Sequence, residues 1–91
     1  MRVVLSRQAN LDLLSHVSWL AQMSPKAALE AAQAIREQLF TLATFPLAGR
    51  VLANDERKWP IPFGRDGFVA IYRVEPDRVV IARIYHSRQD R

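Results

Sequence analysis

The C-terminal third of the chain reads Gly67-Phe68-Val69-Ala70-Ile71-Tyr72-Arg73-Val74, then Glu75-Pro76-Asp77, then Arg78-Val79-Val80-Ile81-Ala82-Arg83-Ile84-Tyr85-His86. Two runs rich in β-branched and aromatic residues flank a short turn, and this pattern predicts a β-hairpin. Both faces of the hairpin are apolar, whereas so small a domain can cover a sheet with only one layer of helices. We therefore expect the uncovered face of the sheet to bind a partner.

Length and composition predict one globular domain spanning residues 1–91. The chain has no cysteine, which excludes disulfide and thiolate chemistry and fits a reducing compartment. It shows neither a signal peptide nor an apolar run long enough to cross a membrane. We expect a cytoplasmic protein without a membrane partner. Its net charge of +4 suits an acidic protein or a nucleic acid, and is equally common in domains that bind neither.

Apolar residues at helical spacing predict two consecutive helices, from Arg7 to Met23 and from Pro25 to about Thr44. Ser6 and Ser24 precede them, and serine side chains accept hydrogen bonds from the first free amides of a helix. Since almost no residues separate the two helices, we expect an antiparallel α-helical hairpin.

Three further segments complete the predicted fold. Arg2 to Leu5 is a short apolar strand, and Leu47 to Glu56 is a loop. Residues 58–63 form an edge strand, because Pro60 and Pro62 both lack an N–H on the same side. The fold class is therefore α+β, with a short N-terminal strand, an α-helical hairpin and a three-stranded antiparallel β-meander.

Simple hairpin pairing divides the residues of the meander between two faces. An aromatic face is expected to pack on the helices; it holds Trp59, Ile61, Phe63, Phe68, Tyr72 and Ile81. An aliphatic face is expected to be open; it holds Val69, Ile71, Val80, Ala82 and Ile84, with Arg73 and His86 at its margins. A single β-bulge would reverse part of this assignment.

Five segments in the right order resemble the ParE branch of the RelE/ParE toxin superfamily. They are Ala9-Asn10-Leu11-Asp12-Leu13, Ser24-Pro25-Lys26-Ala27-Ala28, Phe45-Pro46-Leu47-Ala48-Gly49-Arg50, Gly67-Phe68-Val69-Ala70-Ile71-Tyr72-Arg73-Val74 and Val80-Ile81-Ala82-Arg83-Ile84-Tyr85-His86. The family order of a strand, a helix hairpin and antiparallel strands matches the order that periodicity predicts.

The resemblance implies the toxin of a type II toxin–antitoxin module. It implies a cognate, ParD-like antitoxin partner, a DNA-binding protein whose amphipathic C-terminal segment wraps the toxin, and DNA gyrase as the target. We expect the antitoxin to contact the aliphatic face and nearby arginines, namely Val69, Ile71, Arg73, Val80, Ala82, Ile84, Arg50 and Arg83, together with part of the first helix. Sequence-specific binding to nucleic acid is not expected.

RelE-like members of the superfamily instead cleave mRNA at the ribosome, which requires a base, an acid and cations. The candidates here are His86, Tyr85, Arg83 and Arg65. In similar ribonuclease toxins an arginine lies three residues before the strand tyrosine, whereas Val69 lies three residues before Tyr72 in this chain. A gyrase inhibitor without catalysis of its own is therefore the leading hypothesis, with mRNA cleavage as the alternative.

A third hypothesis is a degenerate, non-toxic interaction domain. No cofactor is predicted, since the chain has no glycine-rich phosphate loop. The two histidines, His16 and His86, lie far apart in the sequence and give little support to a metal site. His16 and Trp19 are interpreted as helix-packing residues.

Overall fold

The computed structural model describes residues 1–89, which form five strands and two helices. In chain order these are β1 (Arg2–Leu5), α1 (Arg7–Met23), α2 (Pro25–Thr44), β2 (Arg50–Val51), β3 (Glu56–Ile61), β4 (Phe68–Val74) and β5 (Arg78–His86). Both helices begin where the sequence predicts, because Ser6 Oγ accepts from the Ala9 N–H at 3.0 Å and Ser24 Oγ accepts from the Ala27 N–H at 3.1 Å.

The strands form one mixed sheet in the order β1-β5-β4-β3-β2. β1 lies parallel to β5, and the other neighbouring strands are antiparallel. The predicted α+β class is confirmed, including the meander of β3, β4 and β5. The long predicted loop contains an additional strand, since β2 pairs with Arg57 and Lys58. The prediction that residues 58–63 form an edge strand is therefore wrong at Lys58, which has β2 as a neighbour. From Pro60 onwards the prediction still applies, because β2 is too short to reach that residue.

The predicted packing of the aromatic face is confirmed. Ile61, Phe68, Tyr72 and Ile81 are buried in the core with apolar residues of both helices, and Trp59 and Phe63 pack against that core. The Tyr72 hydroxyl is part of this packing. It donates to the Pro46 carbonyl at 2.8 Å and accepts from the Gly49 N–H at 2.8 Å, so it holds the segment that leads into β2.

A β-bulge between Ile71 and Tyr72 of β4 changes the predicted faces of β5. Tyr72 pairs with Ile81 and Ile71 with Arg83, so Ala82 is the additional residue. Beyond this point every side chain of β5 lies on the face opposite to the one predicted. The assignment of Ile84 to the open face is therefore wrong: Ile84 pairs with Ala70 and belongs to the core beneath the helices.

The face away from the helices is less exposed than the sequence predicts. Val69, Ile71 and Val80 do lie on it, but they are only 6%, 9% and 5% exposed within the isolated chain. Register places long side chains beside them, including Lys58 opposite Ile71 and Tyr85 opposite Val69. The expectation of a broadly exposed aliphatic face is therefore wrong, because these aliphatic residues form the floor of a face whose accessible groups are largely polar.

Candidate functional site

The outer edge of β5 is covered by side chains. β1 pairs with β5 only as far as Ile81, so the β5 residues that follow have no strand of residues 1–89 beside them on that side. Ile84 meets α1 instead: its N–H donates to Asp12 Oδ2 at 2.9 Å, and its carbonyl lies 2.9 Å from His16 Nε2. A carbonyl can only accept, so His16 Nε2 carries the hydrogen. Asp12 and His16 lie one helical turn apart and together replace a neighbouring strand.

Two further bonds extend this cover along β5. Ser6 Oγ donates to the Ala82 carbonyl at 2.9 Å, and the His86 N–H donates to Gln89 Oε1 at 2.8 Å. An uncovered strand edge is a template for pairing with another chain, and side-chain hydrogen bonds remove that template. We infer that a partner strand cannot be added along this part of β5.

Arg83 is held in a charged cluster at the same edge. Its Nε lies 2.8 Å from Asp12 Oδ2 and its Nη2 lies 3.1 Å from Asp12 Oδ1, a bidentate pair. Its guanidinium carbon also lies 4.7 Å from the centre of the Tyr85 ring. Burial acts to raise the pKa of Asp12, but hydrogen bonds from Arg83 and from the Ile84 N–H outweigh it, and the pKa is lowered. The Asp12 hydrogen bond raises the pKa of Arg83.

A cleft of about 520 Å³ lies between α1 and the loop that joins β3 to β4. We call it the ring cleft. Its lining residues are Ser15, His16, Trp19, Leu20, Phe63, Gly64, Arg65, Asp66, Gly67, Phe68, His86 and Gln89. Phe68 lies at its base, with its ring centre 5.1 Å from that of His16, 5.8 Å from that of His86 and 6.0 Å from that of Phe63. The cleft thus brings together aromatic rings that are distant in sequence.

The loop of the ring cleft is fixed by its own contacts. Gly67 has a φ of +74°, and a side chain there would meet the Ile61 carbonyl. Arg88 Nε lies 3.0 Å from Asp66 Oδ2.

The Arg88 N–H donates to His86 Nδ1 at 3.2 Å, so Nδ1 acts as an acceptor and Nε2 is the nitrogen that carries a hydrogen.

The four ribonuclease candidates are divided between two places. His86 and Arg65 both line the ring cleft. Arg83 and Tyr85 pair with Ile71 and Val69 respectively, on the face away from the helices. The structure therefore does not bring the four residues into one constellation.

The residues predicted to contact an antitoxin are also divided. Arg50 and Arg73 are exposed, and register places both on the face away from the helices, where Arg73 Nε lies 3.1 Å from Glu75 Oε2. Arg83 lies at the edge of that face and Ala82 at the bulge. Val69, Ile71 and Val80 form the floor described above, and Ile84 is turned away from it. A partner on this face would meet mainly arginine side chains.

The structure exposes apolar residues on α1, a helix that the sequence predicts to contribute part of the antitoxin contact. On α1, Leu11 and Leu14 are 49% and 63% exposed. Trp19 is 61% exposed, so the interpretation of Trp19 as a packing residue is wrong, whereas His16 does bond to the sheet. Helical periodicity predicts this exposure, because Leu11 and Leu14 lie on the side of α1 away from Ala9, Leu13 and Leu20.

Residues 1–89 contain neither a metal-binding cluster nor a membrane-spanning helix. No group of three or more histidine or acidic side chains there is arranged to hold a metal ion. Neither helix combines the length and apolar character that a membrane-spanning helix requires.

Comparison with known proteins agrees with this architecture. Residues 3–91 match the family described as "ParE toxin of type II toxin-antitoxin system, parDE". The chain is 39% identical over 89 residues to Toxin RelE3 of Caulobacter vibrioides, with 98% of this chain and 97% of that protein covered. It is 30% identical over 89 residues to Toxin RelE1 of the same organism, with 98% and 96% covered.

A solved structure titled "Chromosomal ParDE TA system from P. aeruginosa" superposes with a TM-score of 0.75. Its sequence is 29% identical, and the match covers 94% of this chain and 95% of that chain. Fold, sequence family and relatives agree over nearly the whole chain, and the chain therefore belongs to the ParE toxin family of type II toxin–antitoxin systems.

Proposed function

We propose that this chain inhibits DNA gyrase by binding and is neutralised by a cognate antitoxin in the cytoplasm. The family membership supports the toxin role. The observation that carries the choice of a binding mechanism is that the catalytic candidates do not come together in one place. Arg83 is paired with Asp12, and it lies apart from His86 and Arg65.

The hydrogen bonding of His86 argues against a role as general base. A general base needs a free acceptor nitrogen, and the acceptor nitrogen of His86 already receives the Arg88 N–H. Val69 occupies the position where similar ribonuclease toxins carry an arginine, and an aliphatic side chain cannot stabilise phosphate charge.

The gyrase proposal is tested with purified components. The chain is added to gyrase, relaxed or supercoiled DNA and ATP, and supercoiling and cleaved DNA are followed on gels. We expect supercoiling to be blocked, or cleaved DNA to accumulate, at micromolar concentration, and the antitoxin to reverse the effect. Unchanged gyrase activity would contradict the proposal. Normal growth after induction without antitoxin would instead favour a non-toxic interaction domain.

Two surfaces are proposed to bind the antitoxin. The first is the face of the sheet away from the helices, where Arg50 and Arg73 would meet acidic residues of the antitoxin above the floor of Val69, Ile71 and Val80. The second is the outer side of α1, where Leu11 and Leu14 offer an apolar stripe to an amphipathic segment. An extended chain could follow both surfaces.

Ribosome-dependent mRNA cleavage is the second candidate function. Two observations favour it: relatives of this chain carry the name RelE, and His86 shares the ring cleft with Arg65. The test is to induce the chain and map cuts in translated messages. Discrete cuts that disappear in His86→Ala and persist in His16→Gln would establish cleavage, whereas intact messages during growth arrest would exclude it.

A further inference from the structure

The ring cleft combines stacking surface with an accessible cation. Trp19 is 61% exposed at its wall, and the rings of Phe63, Phe68 and His86 lie deeper. An exposed tryptophan beside buried and partly buried rings leaves flat apolar surface open to water. Its volume of about 520 Å³ lies in the range of small-ligand sites.

The ring cleft has one arginine whose charge is not paired within residues 1–89. Within residues 1–89, Arg65 forms no hydrogen bond or ion pair, and its side chain is exposed. The only carboxylate that lines the cleft in the same part of the chain is Asp66, which is already paired with Arg88. The cleft therefore favours an anion that also carries a flat ring.

We propose that the ring cleft binds single-stranded nucleic acid, with one base stacked on Trp19 and a neighbouring phosphate held by Arg65. Every nucleobase has a stacking face, so such binding tolerates any sequence. This inference goes beyond the proposed inhibition of gyrase, which gives the ring cleft no role.

Fluorescence gives a direct test, because the chain has two tryptophans. Trp59 lies elsewhere, with its Nε1 donating to Gln38 Oε1 at 3.2 Å. In the variant Trp59→Phe all tryptophan emission therefore comes from Trp19. We expect saturable quenching of this emission by a fifteen-residue oligothymidylate (dT15) at low salt. A matched oligouridylate (U15) shows whether the sugar matters.

Two variants locate the binding. Trp19→Ala should weaken binding of labelled dT15, followed by anisotropy, at least about five-fold, the loss expected for one stacked base. Arg65→Ala should lower the dependence of log K on log salt by about 0.7, the value for one phosphate contact on a single strand. Arg36→Ala, an exposed arginine of α2 outside the ring cleft, is the matched control and should change neither quantity by a comparable amount.

Each contrary result overturns the proposal. An absence of saturable quenching in Trp59→Phe shows that no base reaches Trp19. Equal effects of Arg36→Ala and Arg65→Ala show diffuse electrostatic binding rather than a site. A further contrary outcome is that the cognate antitoxin quenches Trp19 and competes with dT15 while Trp19→Ala leaves dT15 binding unchanged. In that case the ring cleft contacts the antitoxin and not nucleic acid. Circular dichroism of every variant confirms that loss of binding does not reflect loss of the fold.

Discussion

Asp12 of α1 accepts the backbone N–H of Ile84 at 2.9 Å, so a helix side chain occupies the place of a strand beside β5. The same carboxylate pairs with Arg83, and His16 bonds the carbonyl of Ile84. The first helix is thus attached to the sheet by polar groups as well as by apolar packing. This attachment lies beyond the part of β5 that pairs with β1.

Asp12→Ala should destabilise the fold, because it leaves the partly buried N–H of Ile84 and the guanidinium of Arg83 without their partner. We expect a loss of about 1–3 kcal/mol in the free energy of unfolding. Urea unfolding at neutral pH measures it. The matched control is Asp12→Asn, whose amide oxygen can still accept from Ile84, and it should lose less. Equal losses would show that charge rather than the backbone bond is the main contribution.

The same carboxylate should make stability depend on pH. The pKa of Asp12 is lower in the folded chain than in the unfolded chain, where it is about 3.9. Its stabilising effect is therefore complete above that value and is lost as the pH falls through the lower, folded value. We expect the difference in unfolding free energy between the wild-type chain and Asp12→Asn to be constant from pH 5 to 7 and to shrink below about pH 4. A difference that is independent of pH would contradict this.

Tyr72→Phe should also destabilise the chain. The hydroxyl joins the Pro46 carbonyl to the Gly49 N–H, and its removal leaves both backbone groups without this bond. We expect a loss of about 1–3 kcal/mol in urea unfolding. Tyr85→Phe, which removes a hydroxyl from the face away from the helices, is the control and should change stability by no more than about 0.5 kcal/mol.

Charge reversal tests the proposed antitoxin contact on the sheet. Arg50→Glu and Arg73→Glu should each weaken antitoxin binding about ten-fold, mainly through slower association that depends on salt. Surface plasmon resonance at two salt concentrations measures both rates. Arg36→Glu on α2 makes the same change in net charge and should have a smaller effect. Val80→Asp would not test this contact, because Val80 is buried in the free chain.

Leu14→Asp tests the proposed contact on α1. Leu14 is 63% exposed, so a charge there should leave the stability of the free chain within about 0.5 kcal/mol of the original. Antitoxin affinity should fall at least ten-fold if the leucine is buried in the complex, because the charge would then be desolvated. Leu47→Asp, at an exposed leucine outside α1, is the control. Equal affinities of the two variants would place the antitoxin elsewhere.

The helices could be predicted residue by residue, but the faces of β5 could not. Ser6 and Ser24 cap helices through bonds to residues three positions away, so the sequence nearby contains the whole signal. The face of Ile84 depends on how β5 pairs with β4 around one additional residue, Ala82. β2 was missed for a similar reason, since two residues pair only because β3 lies beside them.

The candidate sites show the same division. The sequence identifies His86 and Arg65 as residues that could take part in RNA cleavage. It also shows that Val69 stands where similar ribonuclease toxins carry an arginine. That Arg83 is paired with Asp12, and that Trp19 forms a wall of the ring cleft, depends on contacts between residues more than forty positions apart.

Local interactions along the chain were enough to predict the α-helical hairpin and the meander, because caps, turns and periodicity act over a few residues. The segments that resemble the family are likewise visible in the sequence alone. The exposure of the sheet, the cover along β5 and the ring cleft arise from pairing between distant segments. These features depend on the register between β4 and β5, which one additional residue shifts. That register cannot be predicted from residues that are neighbours in the sequence.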